Sequence, residues 1–138
     1  MSSAPPGVSD EAMELAVVAA RAADAKKGED TLILAVGPVL AITDAFVVTS
    51  AANRRLVRTI ADEIEAKVRE HLGRAPVRTE GAHEQQWVLI DYGEVVIHVF
   101  ADETRRFYEI ERLYRDVAQI DWHPVDAPTP TRSERGAL

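Results

Sequence analysis

The chain contains no cysteine, so it has no disulfide framework, no thiolate metal cage and no cysteine nucleophile. No apolar stretch approaches the roughly 20 residues that a membrane span requires, and Met1 to Gly7 lacks the basic start and apolar run of an export signal. A cytoplasmic protein with no membrane association is therefore expected. Basic side chains are also scarce: 16 against 23 acidic ones leave a net charge of -7, which opposes nonspecific attachment to a phosphate backbone. Little or no direct nucleic-acid binding is expected, and a basic protein is the better partner. Neither a phosphate-cradling glycine loop nor a serine-centred nucleophile elbow occurs. What remains is 138 residues, 46% of them hydrophobic, which suits one domain on a single core.

Helix-end signals bracket Ser9 to Lys27, with Ser9 as N-cap, Asp10 and Glu11 in the first turn and Gly28 beyond the end. Met13, Val17, Ala20 and Ala23 recur at helical spacing, but so much alanine points to a flanking helix rather than a core one. Thr31 to Val36 and Ala45 to Thr49 read as strands, the first as a short apolar run and the second for its β-branched and aromatic residues. Between Asn53 and Leu72 the stripe Leu56, Ile60, Ile64 and Val68, with Val57 and Ala61 beside it, predicts an amphipathic helix stopped by Gly73. Its outer face offers Glu63 to Lys67 and Glu65 to Arg69 pairs. Pro76 to Glu80 predicts a short edge strand. Trp87 to Tyr92 and Glu94 to Phe100 form a hairpin turning at Gly93, with Val95, Ile97 and Val99 on one face and Val96, His98 and Phe100 on the other.

A last helix is predicted from about Glu103 to Ile120, with Asp102 as candidate N-cap and Phe107, Ile110, Leu113, Tyr114 and Val117 at helical spacing. The expected fold is α/β: one domain, a mixed sheet of about five strands flanked by helices, an antiparallel hairpin over residues 87–100, and a topology resembling small nucleotidyltransferases. Residues 1–8 are expected to be a flexible N-terminus, 9–120 the domain, and 121–138 a proline-containing disordered tail.

Few residues advertise chemistry. His71, His83, His98 and His123 are scattered, with no pair at metal-ligand spacing. His98 shares a strand face with Val96 and Phe100, where a hydrogen-bonded structural histidine competes with a functional one. Glu80, Asp91 and Glu94 would form a carboxylate cluster if their strands are neighbours, but acids at turns are ordinarily solvated. A rival enzymatic reading would have Asp44, Asp91 and Glu94 hold a metal and a nucleotide, and it rests on fold analogy alone. Arg105, Arg106, Arg112 and Arg115 alternate with Glu103, Glu109 and Glu111, which reads as a salt-bridged exposed face. Trp87, Tyr92, Phe100, Tyr108 and Tyr114 gather around the hairpin and last helix, as core or as interface anchors.

Glu80-Gly81, five residues, then Trp87-Val88-Leu89-Ile90-Asp91-Tyr92-Gly93-Glu94-Val95-Val96-Ile97-His98-Val99-Phe100 resembles the signature of the ribosomal silencing factor (RsfS, Iojap-related) family. Arg105, Tyr108, Glu111 and Leu113 continue it, and Thr43 to Val48, Arg55 and Ile60 to Asp62 resemble the family upstream. Ala51 departs from a common glycine and Tyr114 from a frequent tryptophan. The resemblance implies a protein that makes and breaks no bond and needs no cofactor. Free, it would be a homodimer. It would bind the large ribosomal subunit through that subunit's fourteenth ribosomal protein, block joining of the small subunit by steric exclusion, and repress translation when nutrients are scarce. It also implies contact roles for Trp87, Asp91, His98, Arg105, Tyr108 and Glu111, with Glu80 and Gly81 shaping the adjoining loop.

Overall fold

A computed structural model describes residues 4–123. The elements run α1 (Asp10–Ala25), β1 (Glu29–Leu34), β2 (Ala45–Ala51), α2 (Arg54–Leu72), β3 (Arg78–Glu80), β4 (Trp87–Asp91), β5 (Val95–Ala101), α3 (Asp102–Tyr108) and α4 (Ile110–Leu113). The strands form one mixed sheet in the order β1-β2-β5-β4-β3. β2 and β5 are parallel, and the other three pairs are antiparallel. This is the expected α/β class with its mixed five-stranded sheet and hairpin. The sheet is open, with β1 and β3 as its edges, and this order does not establish a nucleotidyltransferase-like topology.

Local chemistry sets the helix limits. Ser9 Oγ accepts from the Ala12 amide at 3.0 Å and Asn53 Oδ1 from the Leu56 amide at 2.9 Å, each meeting a donor that a helix start leaves free. Gly73 closes α2 in the left-handed conformation at φ 65°. The two helices pack against one face of the sheet. α2 uses its predicted stripe, burying Val57, Ile60, Ala61, Ile64 and Val68. Its outer face carries Arg58–Asp62 and Lys67–Glu70 ion pairs in place of the expected glutamate-first pairs.

α1 is a correction to the expected flanking helix. Ala12, Leu15, Ala16, Ala19, Ala20, Ala22 and Ala23 are all buried, while Met13 and Val17 stay partly exposed. Small side chains let α1 lie close to both α2 and the sheet, so alanine here marks close approach rather than a weak interior face. Ahead of α1, Val8 is buried in the same core.

The single last helix is also corrected. The helix stops at Tyr108, Glu109 takes the left-handed conformation at φ 47°, and only the short α4 follows. That break turns Phe107 and Leu113 outward, where they are 79% and 77% exposed instead of buried. The chain then returns along β1. The Ala35 amide donates to the Ala118 carbonyl at 2.8 Å, the Ile120 amide to the Ile33 carbonyl at 2.9 Å, and Trp122 Nε1 to the Thr31 carbonyl at 2.9 Å. Residues 121–123 therefore lie against the domain, and the rest of the predicted tail, 124–138, lies outside the described residues.

Candidate functional site

The sheet face turned away from α1 and α2 can be laid out from the strand register. One row runs Phe46, Val96, Asp91, Arg78 across β2, β5, β4 and β3; the next runs Val48, His98, Leu89, Glu80; the third is Ser50, Phe100, Trp87. Four of the residues singled out from the sequence, Glu80, Trp87, Asp91 and His98, thus share one face. Period-two alternation of side chains puts them there. Gly81, at φ 81°, turns the chain after β3 where any Cβ would run into the Trp87 carbonyl oxygen.

Cover over this face is uneven. At the third row Ile110, Tyr114 and Val117 pack on Phe100, Leu34 and Val36 to make a second, smaller core. Trp87 joins it, with ring centroids 4.8 Å from Phe100 and 4.9 Å from Tyr108. Phe46 meets the edges of His98 and Tyr114 at 4.7 and 5.3 Å. Toward the first row the cover runs out. Leu40, Ile42, Thr43, Phe46, Leu89, Val96 and His98 line a cleft of about 350 Å³ rimmed by Arg78 and Asp91. Ile42, at its lip, is 88% exposed.

His98 is the buried polar centre of this face, 6% exposed. Trp87 Nε1 donates to its Nδ1 at 3.1 Å. An indole N–H can only donate, so Nδ1 must be the acceptor and the ring proton sits on Nε2. Burial holds the imidazole neutral by depressing its pKa to about 4. His98 is therefore a fixed neutral donor, with Trp87 choosing its tautomer. Trp87 is itself half-buried in the packing, so its removal disturbs the fold as well as the face.

The neighbouring strands β3 and β4 bring two of the carboxylates, Glu80 and Asp91, onto one guanidinium, while Glu94 is held by a different arginine. Asp91 and Glu80 both reach Arg78, at 3.4 and 3.3 Å, and Asp91 also accepts from the Gly93 amide at 2.8 Å. Glu94 takes a two-point contact from Arg74 at 2.9 Å for each oxygen, which holds its carboxyl below the usual range. Asp44, the third acid of the metal-centred reading, accepts from the Ser9 amide. Among the described residues, no three histidine or carboxylate side chains are grouped to hold a metal.

Arg105 and Glu111 lie at the covered end of this face, away from the cleft. Arg105 was expected on an exposed salt-bridged surface, yet it is 7% exposed. It donates to the Glu29 and Asp30 carbonyls at 3.0 and 2.8 Å, to Ser50 Oγ at 3.0 Å and to Glu111 at 3.1 Å, fastening α3 to β1 and β2. It lies at the side of a groove of about 820 Å³ between β1 and α3–α4. Arg112 pairs with Glu109 there, while Glu29 has its pKa raised by the like charge of Asp102 beside it. The groove is lined mostly by charged side chains, whereas the cleft is walled mainly by apolar ones. Tyr108, 51% exposed against Trp87, joins the two regions.

Sequence reasoning missed Thr43, Phe46, Leu89 and Val96 as site residues. Only the strand pairing brings them beside His98, and the one signal available was alternation along β4 and β5.

The fold and this face define a small α/β domain with a half-covered, aromatic-edged sheet surface. A profile described as "Ribosomal silencing factor during starvation" matches residues 9–137, and the chain belongs to that family. It is 35% identical over 112 residues to the ribosomal silencing factor RsfS of Halalkalibacterium halodurans, covering 81% of this chain and 95% of that one. It is 30% identical over 120 residues to the chloroplastic protein Iojap of Arabidopsis thaliana, covering 87% of this chain and 50% of the longer plant protein. A crystal structure of a Chromobacterium violaceum protein superposes with a TM-score of 0.72 at 27% identity, covering 85% of this chain and 97% of that one. Translation regulation is the general role that family membership assigns.

Proposed function

We propose that this protein binds the large ribosomal subunit through the subunit's fourteenth ribosomal protein, and that its bulk there blocks association with the small subunit. Translation is thereby repressed under nutrient limitation. The single observation that carries the reading is the family match across residues 9–137. The half-covered face supports it: exposed Ile42 and Tyr108 supply apolar contact, and Arg78, Asp91 and Glu80 supply a polar rim that fixes orientation. A net charge of -7 favours approach to a basic ribosomal protein over binding to ribosomal RNA directly.

The action is steric and makes no bond, which suits acids that are each engaged by an arginine or an amide. In its free state the protein is a homodimer, and it works in the cytoplasm. No helix among the described residues is long and apolar enough to cross a membrane. The test is sucrose-gradient sedimentation with isolated large subunits, followed by addition of small subunits. Co-migration with the large subunit and fewer joined ribosomes are expected. Protein remaining at the top of the gradient at micromolar concentration and low salt would overturn the reading.

A further inference from the structure

Four buried side-chain polar atoms have no hydrogen-bond partner among the described residues, and two of them, His98 Nε2 and Thr43 Oγ1, belong to residues that line the same cleft. Thr43 is 4% exposed and His98 6%. A buried donor or hydroxyl without a partner raises the free energy of the unbound protein, and almost all such groups in folded proteins are satisfied. Two in one cleft, on the face whose exposed apolar side chains suit docking, call for a common partner.

We propose that this cleft receives an uncharged amide of the docked ribosomal protein, whose carbonyl oxygen accepts from His98 Nε2 and whose N–H donates to Thr43 Oγ1. The proposal rests on the large-subunit reading above and adds the chemistry of recognition to it. Trp87 fixes His98 as a donor at Nε2, and the Thr43 hydroxyl can accept. Leu40, Ile42, Phe46, Leu89 and Val96 make the walls apolar, so an ionised carboxylate or ammonium would lose its hydration without a counter-charge inside. The charges at the rim are already engaged, Arg78 with Asp91 at 3.4 Å and with Glu80 at 3.3 Å. A peptide group or a carboxamide offers one acceptor and one donor and carries no charge, which is the complement of these two atoms. Neither atom is open to water in the free protein. Engagement therefore takes a small opening of the 38–44 loop, whose tip at Ala41 and Ile42 is exposed.

Thr43→Val tests this because it keeps the shape and removes only the hydroxyl. If that hydroxyl has no partner in the free protein, Thr43→Val melts at or above the wild-type temperature. Its affinity for isolated large subunits should nevertheless fall about three- to tenfold, the worth of one hydrogen bond, and Thr43→Ser should bind as the wild type does. Nitrogen-15 spectra of free wild-type protein at neutral pH should show the His98 proton on Nε2. The proposal is overturned if Thr43→Val binds large subunits as tightly as wild type, if it melts lower, or if the proton is on Nδ1. It is equally overturned if Thr43→Val weakens self-association and leaves subunit binding alone, for then a second copy of the chain fills the cleft. Failure of wild-type protein to bind large subunits would instead remove the functional reading itself, and this proposal with it.

Discussion

The two faces of the sheet are built from the same strands and finished differently. On one side α1 and α2 cover Val47, Ile90, Val95, Ile97 and Val99 completely, and the threonines buried there, Thr31 and Thr49, hydrogen-bond to each other at 2.9 Å. On the other, α3 and α4 are short, a left-handed residue interrupts them, and they cover only the end nearest Phe100. The closed face holds the fold together. An unpartnered hydroxyl is buried on each side, Tyr92 in the closed core and Thr43 in the cleft, but only the half-closed face joins one to a buried histidine and exposed apolar side chains, a combination that costs stability in the free protein and suits a surface that a partner later covers.

The comparison breaks first in stability. Ile64 lies fully buried in α2 on the closed face. Ile64→Ala should lower the unfolding free energy by about 2–5 kcal/mol, the cost of lost burial plus the cavity, and urea melts would measure it. A change of under about 1 kcal/mol would mean that α2 can collapse onto the sheet, and that the closed face is less tightly packed than described.

Acid should find the other face. Burial depresses His98 from 6.5 to about 4 in the folded protein. Between those values the unfolded chain binds a proton that the folded protein excludes, so stability from this residue is complete above pH 6.5 and declines as pH falls toward 4. The loss is on the order of 3 kcal/mol. His98→Phe removes the titrating group and should flatten the corresponding part of the stability curve. The difference between the two curves isolates His98 from carboxylates, such as Glu94, that titrate in both proteins. Parallel curves would show that the wild-type imidazole is open to protonation when folded.

The closed face was the legible one, although not evenly. A stripe of large aliphatic residues in α2 announces its own burial, because only one face of that helix is apolar. Alanine in α1 is ambiguous by the same measure: it is compatible with either side, and only the nearness of α2 decides it. Strand alternation placed Val96, His98 and Phe100 together, yet the neighbours that give His98 its meaning come from β2 and the 38–44 loop, about fifty residues away in the chain. Helical spacing misled at Phe107 and Leu113, because no pattern of apolar residues reports that Glu109 will adopt a positive φ. Arg105 misled for a related reason: its partners are backbone carbonyls of Glu29 and Asp30, which no side-chain pattern encodes.

The finest separation of the faces should come from Ile42, because it is apolar, 88% exposed and at the lip of the cleft. It is also outside every strand and helix, so its side chain contributes little to the free protein. Ile42→Glu should leave the unfolding free energy within about 0.5 kcal/mol of wild type, as substitutions at exposed positions ordinarily do. Binding is different. A docked partner would bury that position, and a carboxylate there would have to be stripped of water beside Leu40 and Phe46. Affinity for large subunits should fall at least about tenfold, equivalent to roughly 1.4 kcal/mol. Wild-type binding by Ile42→Glu would place the contact elsewhere, with Phe107, Tyr108 and Leu113 on α3 and α4 as the next exposed apolar group to change.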